Sequence, residues 1–272
     1  MAQGMNKLNE ALASLPEVRE LLLSLDAGTS PIAVSGLSGV HRAQLTAAVR
    51  HKTQRPLLIV CADENEANRM AGDLHELLGE DVSLLFAREW QLRDRVFASH
   101  GWEQQRIGSL CNLAAGKAPI LVATVDDLMQ RTLPPDALRG AVTDISLGDR
   151  FDLNALSKKL VESGYTRAET VEGVGQFALR GGILDVWSPL RAPVRVEFFD
   201  DEVDAMGEFD VTTQRRTQNV KSLTVLPAAE VLPALSDGGR EKMLERLERA
   251  AQKIAKKAED SPIVQTLRSD IE

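Results

Sequence analysis

QFALRGGILDVWSPLRAPVRVEFFDDEVDAMGEFD, residues 176–210, carries the densest alternation in the chain, and a period of two is what a half-buried strand requires. In PVRVEFF, Val194, Val196 and Phe198 share one face, leaving Arg195, Glu197 and Phe199 on the other. Upstream, Phe177 and Leu179 point inward and Arg180 outward, just before Gly181 and Gly182 interrupt the side-chain surface. Two arginines and a phenylalanine are therefore expected on one solvent-facing patch. Five of the eleven aromatic residues (Phe177, Trp187, Phe198, Phe199 and Phe209) lie in this stretch, and most of them read as core.

The remaining sequence sets the bounds. At 272 residues the chain has room for two ordinary domains, each able to bury a core without disulfides or metal. A hydrophobic fraction of 43% and a charged fraction of 26% are globular values. The formal net charge of −8 argues against a surface that wraps nucleic acid by neutralising phosphates. Cys61 and Cys111 sit in apolar segments without CxxC spacing, so they read as reduced core residues and no zinc site is expected. No apolar run is long enough to span a bilayer and the first residues lack a signal peptide's apolar core, so a cytoplasmic protein with no membrane partner is expected.

In chain order, leucines at helical spacing from Asn6 to Leu25 predict a helix that Pro16 breaks in two. PIAVS (31–35) reads as a strand, and GLSGVHRA (36–43) as a glycine turn running into a helix. PLLIVCA is the next strand, followed by a helix from about Glu64 to Leu78 with Asp63 and Glu66 at capping-box spacing. VSLLF and Ile120–Ala123 read as strands and Gly101–Ala115 as a helix, while REWQLRDRVFAS (88–99) has no clean period. This alternation predicts an α/β domain with a parallel sheet covered on both faces. LPPDALRG reads as a turn-rich connector. After it come VTDISL, a helix from Leu153 to Ser163 and a run of strands closed by KSLTVL, which is an α+β pattern. The boundaries are 1–132, 133–226 and 227–272, the last holding a charged helix (239 to about 260) with Met243, Leu244, Leu247, Ala250 and Ile254 on one stripe. That helix suggests a piece of a longer protein.

Between strand and helix, GLSGVHRA stands where a Walker A loop would. The motif needs a second glycine for close backbone approach, a lysine for the β- and γ-phosphates and a hydroxyl for magnesium. Gly36 and Gly39 are present, but those three places hold His41, Arg42 and Ala43, which predicts a turn that keeps the architecture without the chemistry. LLIVCADE looks like a Walker B strand ending at Asp63 and Glu64, although helix capping is a sufficient task for Asp63. The four histidines show no ligand spacing and read as surface residues. Arg180, Arg195 and Phe199 suit a protein partner, since arginine and aromatic side chains dominate interface energetics. An arginine opposite a glutamate is equally an ordinary cross-strand pair, and pattern alone leaves both readings open.

LRGGILDVWSP, PVRVEFFDDEVDAMGEFDVTTQRR and LTVLPAAEVLP together resemble the UvrB-homology module at the N-terminus of bacterial transcription-repair coupling factors, the Mfd family. The likeness extends back through ILVATVDDLMQR and FASHGWEQQRIGSL and covers about Pro31 to Pro233. It implies a helicase-like α/β domain with a degenerate P-loop, an inserted α+β domain resembling UvrB domain 2 that binds UvrA, and a return to the first fold. The implied UvrA contacts are Arg180, Arg195 and Phe199, with Arg191, Glu197 and Asp200 tuning the surface. No cofactor is implied for this chain; ATP and magnesium belong to the motor of the full-length family members, which engage RNA polymerase and DNA through other parts. A C-terminal domain of those proteins is implied to mask the UvrA-binding face. The alternative is the ATP-binding domain of a UvrB-type repair protein, whose intact Walker A loop GLSGVHRA does not match. Gly181 and Gly182 are expected to clear space beside Arg180.

Overall fold

In the computed structural model, residues 2–87, 100–236, 238–256 and 262–271 are described; the stretch 88–99 of REWQLRDRVFAS and the end of the charged helix at 257–260 lie outside them. The chain forms two units, Met1–Ala87 with Ala115–Arg131, and Arg88–Ala114 with Thr132–Glu272.

The first unit begins with α1 (Ala2–Ala13) and α2 (Pro16–Asp26), separated where Pro16 takes the first helical position, the place its missing N–H costs nothing. It continues through α3 (Gly39–Thr53), β1 (Leu57–Cys61), α4 (Glu64–Leu78) and β2 (Ser83–Leu84). After α5 (His100–Ala114), which belongs to the second unit, it resumes with β3 (Ile120–Thr124) and α6 (Val125–Met129). Asp63 caps α4 by accepting the Glu66 N–H at 2.8 Å, but the Glu66 carboxylate reaches back to Ala62 N (3.0 Å), one residue earlier than in a standard capping box. The strands form a parallel sheet in the order β1-β3-β2. Ala43 and Ala47 of α3, the apolar stripe Ala67, Met70, Ala71, Leu74 and Leu77 of α4, and Cys61, Ile120 and Val122 of the sheet make its core.

Two expectations fail here. Residues 31–35 form no strand: Pro31 has no N–H to give a ladder, Gly36 (φ +80°) turns the chain five residues later, and Val34 stays exposed. Cover on the second face is also incomplete: Leu121 and Ala123 of β3 are buried there, but their neighbours on β1 are not. Leu57 and Ile59 pack on the helices while Leu58 and Val60, on the other side of β1, are 57% and 50% exposed.

The second unit adds α7 (Pro135–Ala141), β4 (Thr143–Ser146), α8 (Leu153–Glu162), β5 (Thr166–Arg167), β6 (Gln176–Arg180), β7 (Ile183–Val186), β8 (Val194–Phe199), β9 (Glu202–Phe209), β10 (Arg216–Asn219) and β11 (Ser222–Val225). A 3-10 turn at Pro233–Leu235 then leads into α9 (Gly239–Ala255) and α10 (Pro262–Ile271). LPPDALRG is thus helical where a connector was expected: Pro135 starts α7, and burial of Leu138 and Ala141 holds it. On α9 it is Ala251, not Ala250, that is buried. The main sheet runs β10-β9-β8-β7-β6-β5, with all pairs antiparallel except β5–β6, and β4 pairs separately with β11. Phe177, Leu184, Val186, Val194, Val196, Val203 and Met206 turn one face of the main sheet onto Leu156 and Leu160 of α8.

Helix α5 joins this unit although the sequence reading placed it in the first domain. Arg106 on α5 and Glu230 are 0% and 1% exposed and meet through Nε–Oε2 at 2.7 Å and Nη2–Oε1 at 3.3 Å. Gly108 also leaves room for Leu190, whose Cδ1 would collide with any added Cβ.

Both cysteines are free and buried, as their apolar surroundings predict. Burial pushes the Cys111 thiol up to about 11, and burial followed by the nearby Glu66 raises Cys61. Because the thiolate is the reactive form, neither cysteine is expected to react with a thiol-specific disulfide reagent at pH 8 in the folded protein, and both should react in 6 M guanidinium. Fast labelling of either one before unfolding would contradict this packing.

Candidate protein-interaction surface

Hydrogen-bond register places the site on the main sheet of the second unit. Ala178, Asp185, Arg195 and Gly207 form one row across β6 to β9, and Arg180, Ile183, Glu197 and Ala205 form the next. Both rows face away from α8, because Phe177, Leu179, Leu184 and Val196 alternate to the other side. The bulge between β8 and β9, where Asp204 is the extra residue of β9, leaves the alternation of β8 intact. Phe199 therefore continues the face of Arg195 and Glu197 and stands 80% exposed at the end of its strand.

Asp185 ties the arginines together. This carboxylate is 0% exposed, and its Oδ1 accepts from Arg195 Nε at 2.7 Å. Its Oδ2 accepts from Arg195 Nη2 and from Arg180 Nη2, both at 2.9 Å. A bidentate guanidinium and a second arginine compensate a buried charge that would otherwise be expensive. Hydrogen bonding to Asp185 outweighs burial and raises the Arg195 guanidinium above its ordinary range. The environments of the two arginines differ. The Arg195 side chain is 20% exposed; it also donates to the carbonyl and side chain of Gln214 and lies 5.0 Å from the centroid of Phe209. The Arg180 side chain is 50% exposed and, among the described residues, otherwise donates only to the Glu169 carbonyl, at 2.7 Å.

Glu197 is held by Arg216 at 2.6 Å, not by Arg195 or Arg180. The Arg216 side chain crosses the sheet over Gly207, where a Cβ would stand 2.7 Å from its Nε. Beyond Arg195, Phe209 packs with Val171, Ala178 and Trp187 in a second small core on this face. Of the five aromatics expected to be mostly core, Phe199 is the one that is exposed.

The glycines of the β6–β7 turn have other tasks than the one expected. Gly181 adopts φ +59°, the positive φ that the first loop residue of a type II′ hairpin needs. Gly182 makes room for backbone, not for Arg180: a Cβ there would sit 2.8 Å from the Phe198 carbonyl oxygen, and Phe198 N donates to the Gly182 carbonyl at 2.7 Å. Gly182→Ala should therefore destabilise the second unit by about 1–3 kcal/mol in urea unfolding, as overpacking does. An unchanged midpoint would show that the hairpin yields freely.

Sequence reasoning missed Asp185 and Ile183, the latter 39% exposed beside Arg180. An aspartate inside the apolar run ILDVW, with arginines on both neighbouring strands, is the signal that was there to be read.

In the first unit, His41 Nδ1 lies 2.9 Å from Ser38 Oγ, Arg42 bonds Glu66 at 2.6 Å, and Ala43 is wholly buried in the core. Gly36 is in the left-handed region and Gly39 opens α3. The lysine place of the loop thus holds an arginine paired with an acid, and the hydroxyl place a core methyl. Asp63 is occupied as a cap. Among the described residues no group of three acidic, histidine or cysteine side chains could hold a metal ion, and no helix is long and apolar enough to cross a membrane.

Residues 143–231 match the model of the UvrB interaction domain. The face described above lies wholly inside that match. A transcription-repair-coupling factor of Myxococcus xanthus is 35% identical over 233 residues, covering 82% of this chain and 19% of the relative. The chain is homologous to transcription-repair-coupling factors over most of its length. Those from Bacillus subtilis (29% identical, 84% of this chain and 20% of the relative) and Haemophilus influenzae (34%, 67% and 16%) match in the same way. The chain spans about a fifth of the length of these curated relatives.

Proposed function

We propose that this chain is a non-catalytic, cytoplasmic recruitment module that brings UvrA to a stalled RNA polymerase on behalf of a longer coupling factor. The carrying observation is the exposed Phe199 on the same sheet face as Arg180 and Arg195, inside the UvrB interaction domain. Phe199 supplies apolar burial, and Arg180 supplies charge-assisted hydrogen bonds to an acidic or carbonyl group of UvrA. The first unit acts as a helicase-like scaffold whose loop Gly36–Ala43 has lost its nucleotide chemistry; the paired Arg42 and the buried Ala43 support this reading. Contacts with RNA polymerase and DNA, the ATP-dependent motor and a masking C-terminal domain belong to other parts of the full-length protein.

Two titrations test the proposal. Purified UvrA is expected to bind the chain saturably, whereas ATP with magnesium is expected to give no saturable signal up to millimolar concentration. ATP binding that is lost on changing Arg42 would instead favour the nucleotide-binding alternative, and absence of UvrA binding would remove the recruitment role.

A further inference from the structure

We infer that Asp185 is the positioning residue of this surface and that Arg195 serves UvrA binding through it instead of by touching the partner. The inference rests on the recruitment reading above and concerns how that face is built.

Donor accounting carries it. A guanidinium has five N–H hydrogens. Arg195 commits four of them, two to Asp185 and two to Gln214, while its plane lies against Phe209. Arg180 commits only two, to Asp185 and the Glu169 carbonyl, leaving Nε–H and one hydrogen on each Nη without an acceptor among the described residues. The arginine able to meet a partner is therefore Arg180. Its orientation comes from Asp185, whose Oδ2 is shared between the two guanidinium groups. Arg195 in turn holds the carboxylate in plane through both oxygens. Holding a long, flexible side chain before binding reduces the ordering cost of association. Asp185, fully buried, reaches no partner itself.

A double-mutant cycle on UvrA affinity tests this with the whole chain, comparing wild type, Asp185→Asn, Arg180→Ala and the double variant. A residue that acts through Arg180 loses its effect when Arg180 is gone. Asp185→Asn should weaken UvrA binding about tenfold in the wild-type background, the scale of one charge-assisted hydrogen bond, and less than about twofold in the Arg180→Ala background. The same cycle with Phe199→Ala in place of Arg180→Ala should leave the Asp185→Asn effect at its full size. A merely structural role for Asp185 would weaken binding by the same factor in every background and would overturn the inference. So would an Asp185→Asn variant that binds as wild type does. If Arg180→Ala binds like wild type, the recruitment surface itself is misassigned, which is a distinct outcome that takes the inference with it. Should Asp185→Asn fail to fold, Asp185→Ser, which removes the charge and the bidentate acceptor, goes through the same cycle with the same two deciding outcomes.

Discussion

Glu230→Ala should lower the stability of the second unit by about 3–5 kcal/mol, because it removes the carboxylate that the buried Arg106 guanidinium bonds through two nitrogens. Both partners are almost completely buried and bond at 2.7 Å, so the lost charge compensation is not supplied by bulk solvent. Urea unfolding followed by circular dichroism reads the change directly, and the thermal midpoint should fall by roughly 10 °C or more. Arg106→Met combined with Glu230→Leu should recover much of the loss, since two apolar side chains of similar volume carry no buried charge. A Glu230→Ala midpoint within about 0.5 kcal/mol of wild type, the scale of an ordinary surface substitution, would mean that α5 is not fastened to the segment after β11 in the way its ion pair indicates.

Phe199→Ala should do the reverse, leaving stability intact while removing binding. The side chain is 80% exposed and lies at a hairpin end, so its truncation changes the folded chain by no more than about 0.5 kcal/mol. As the aromatic anchor of an interface it should contribute about 2 kcal/mol or more, a loss of roughly 30-fold in UvrA affinity. The separation is the point. Phe198, one residue earlier, packs edge-on against Phe151 at 6.5 Å between ring centres and belongs to the core. Phe198→Ala should therefore lose stability first.

The contrast between these neighbours was legible in the sequence, because alternation assigns each residue of a half-buried strand to a face. Val194 and Val196 went inward and Arg180, Arg195 and Phe199 outward, as the register now places them. Alternation does not say who meets whom across a face. That is why Asp185 was missed and why Arg195 looked like an open contact when it is mostly engaged. The first unit was harder to read for a related reason. PIAVS has strand composition, but a strand exists only where another edge accepts it, and LLIVC has no polar residue to reveal that one side of β1 is open. In LPPDALRG, two prolines suggested a turn although proline is also a good first residue of a helix.

The central claim, that this sheet face recruits UvrA, is tested most directly by calorimetric titration of purified UvrA into the wild-type chain and into the Arg180→Ala/Phe199→Ala double variant, with thermal unfolding measured on both. The account predicts saturable binding to wild type and no measurable binding to a double variant whose unfolding midpoint is unchanged. Equal affinity of the two proteins would contradict it.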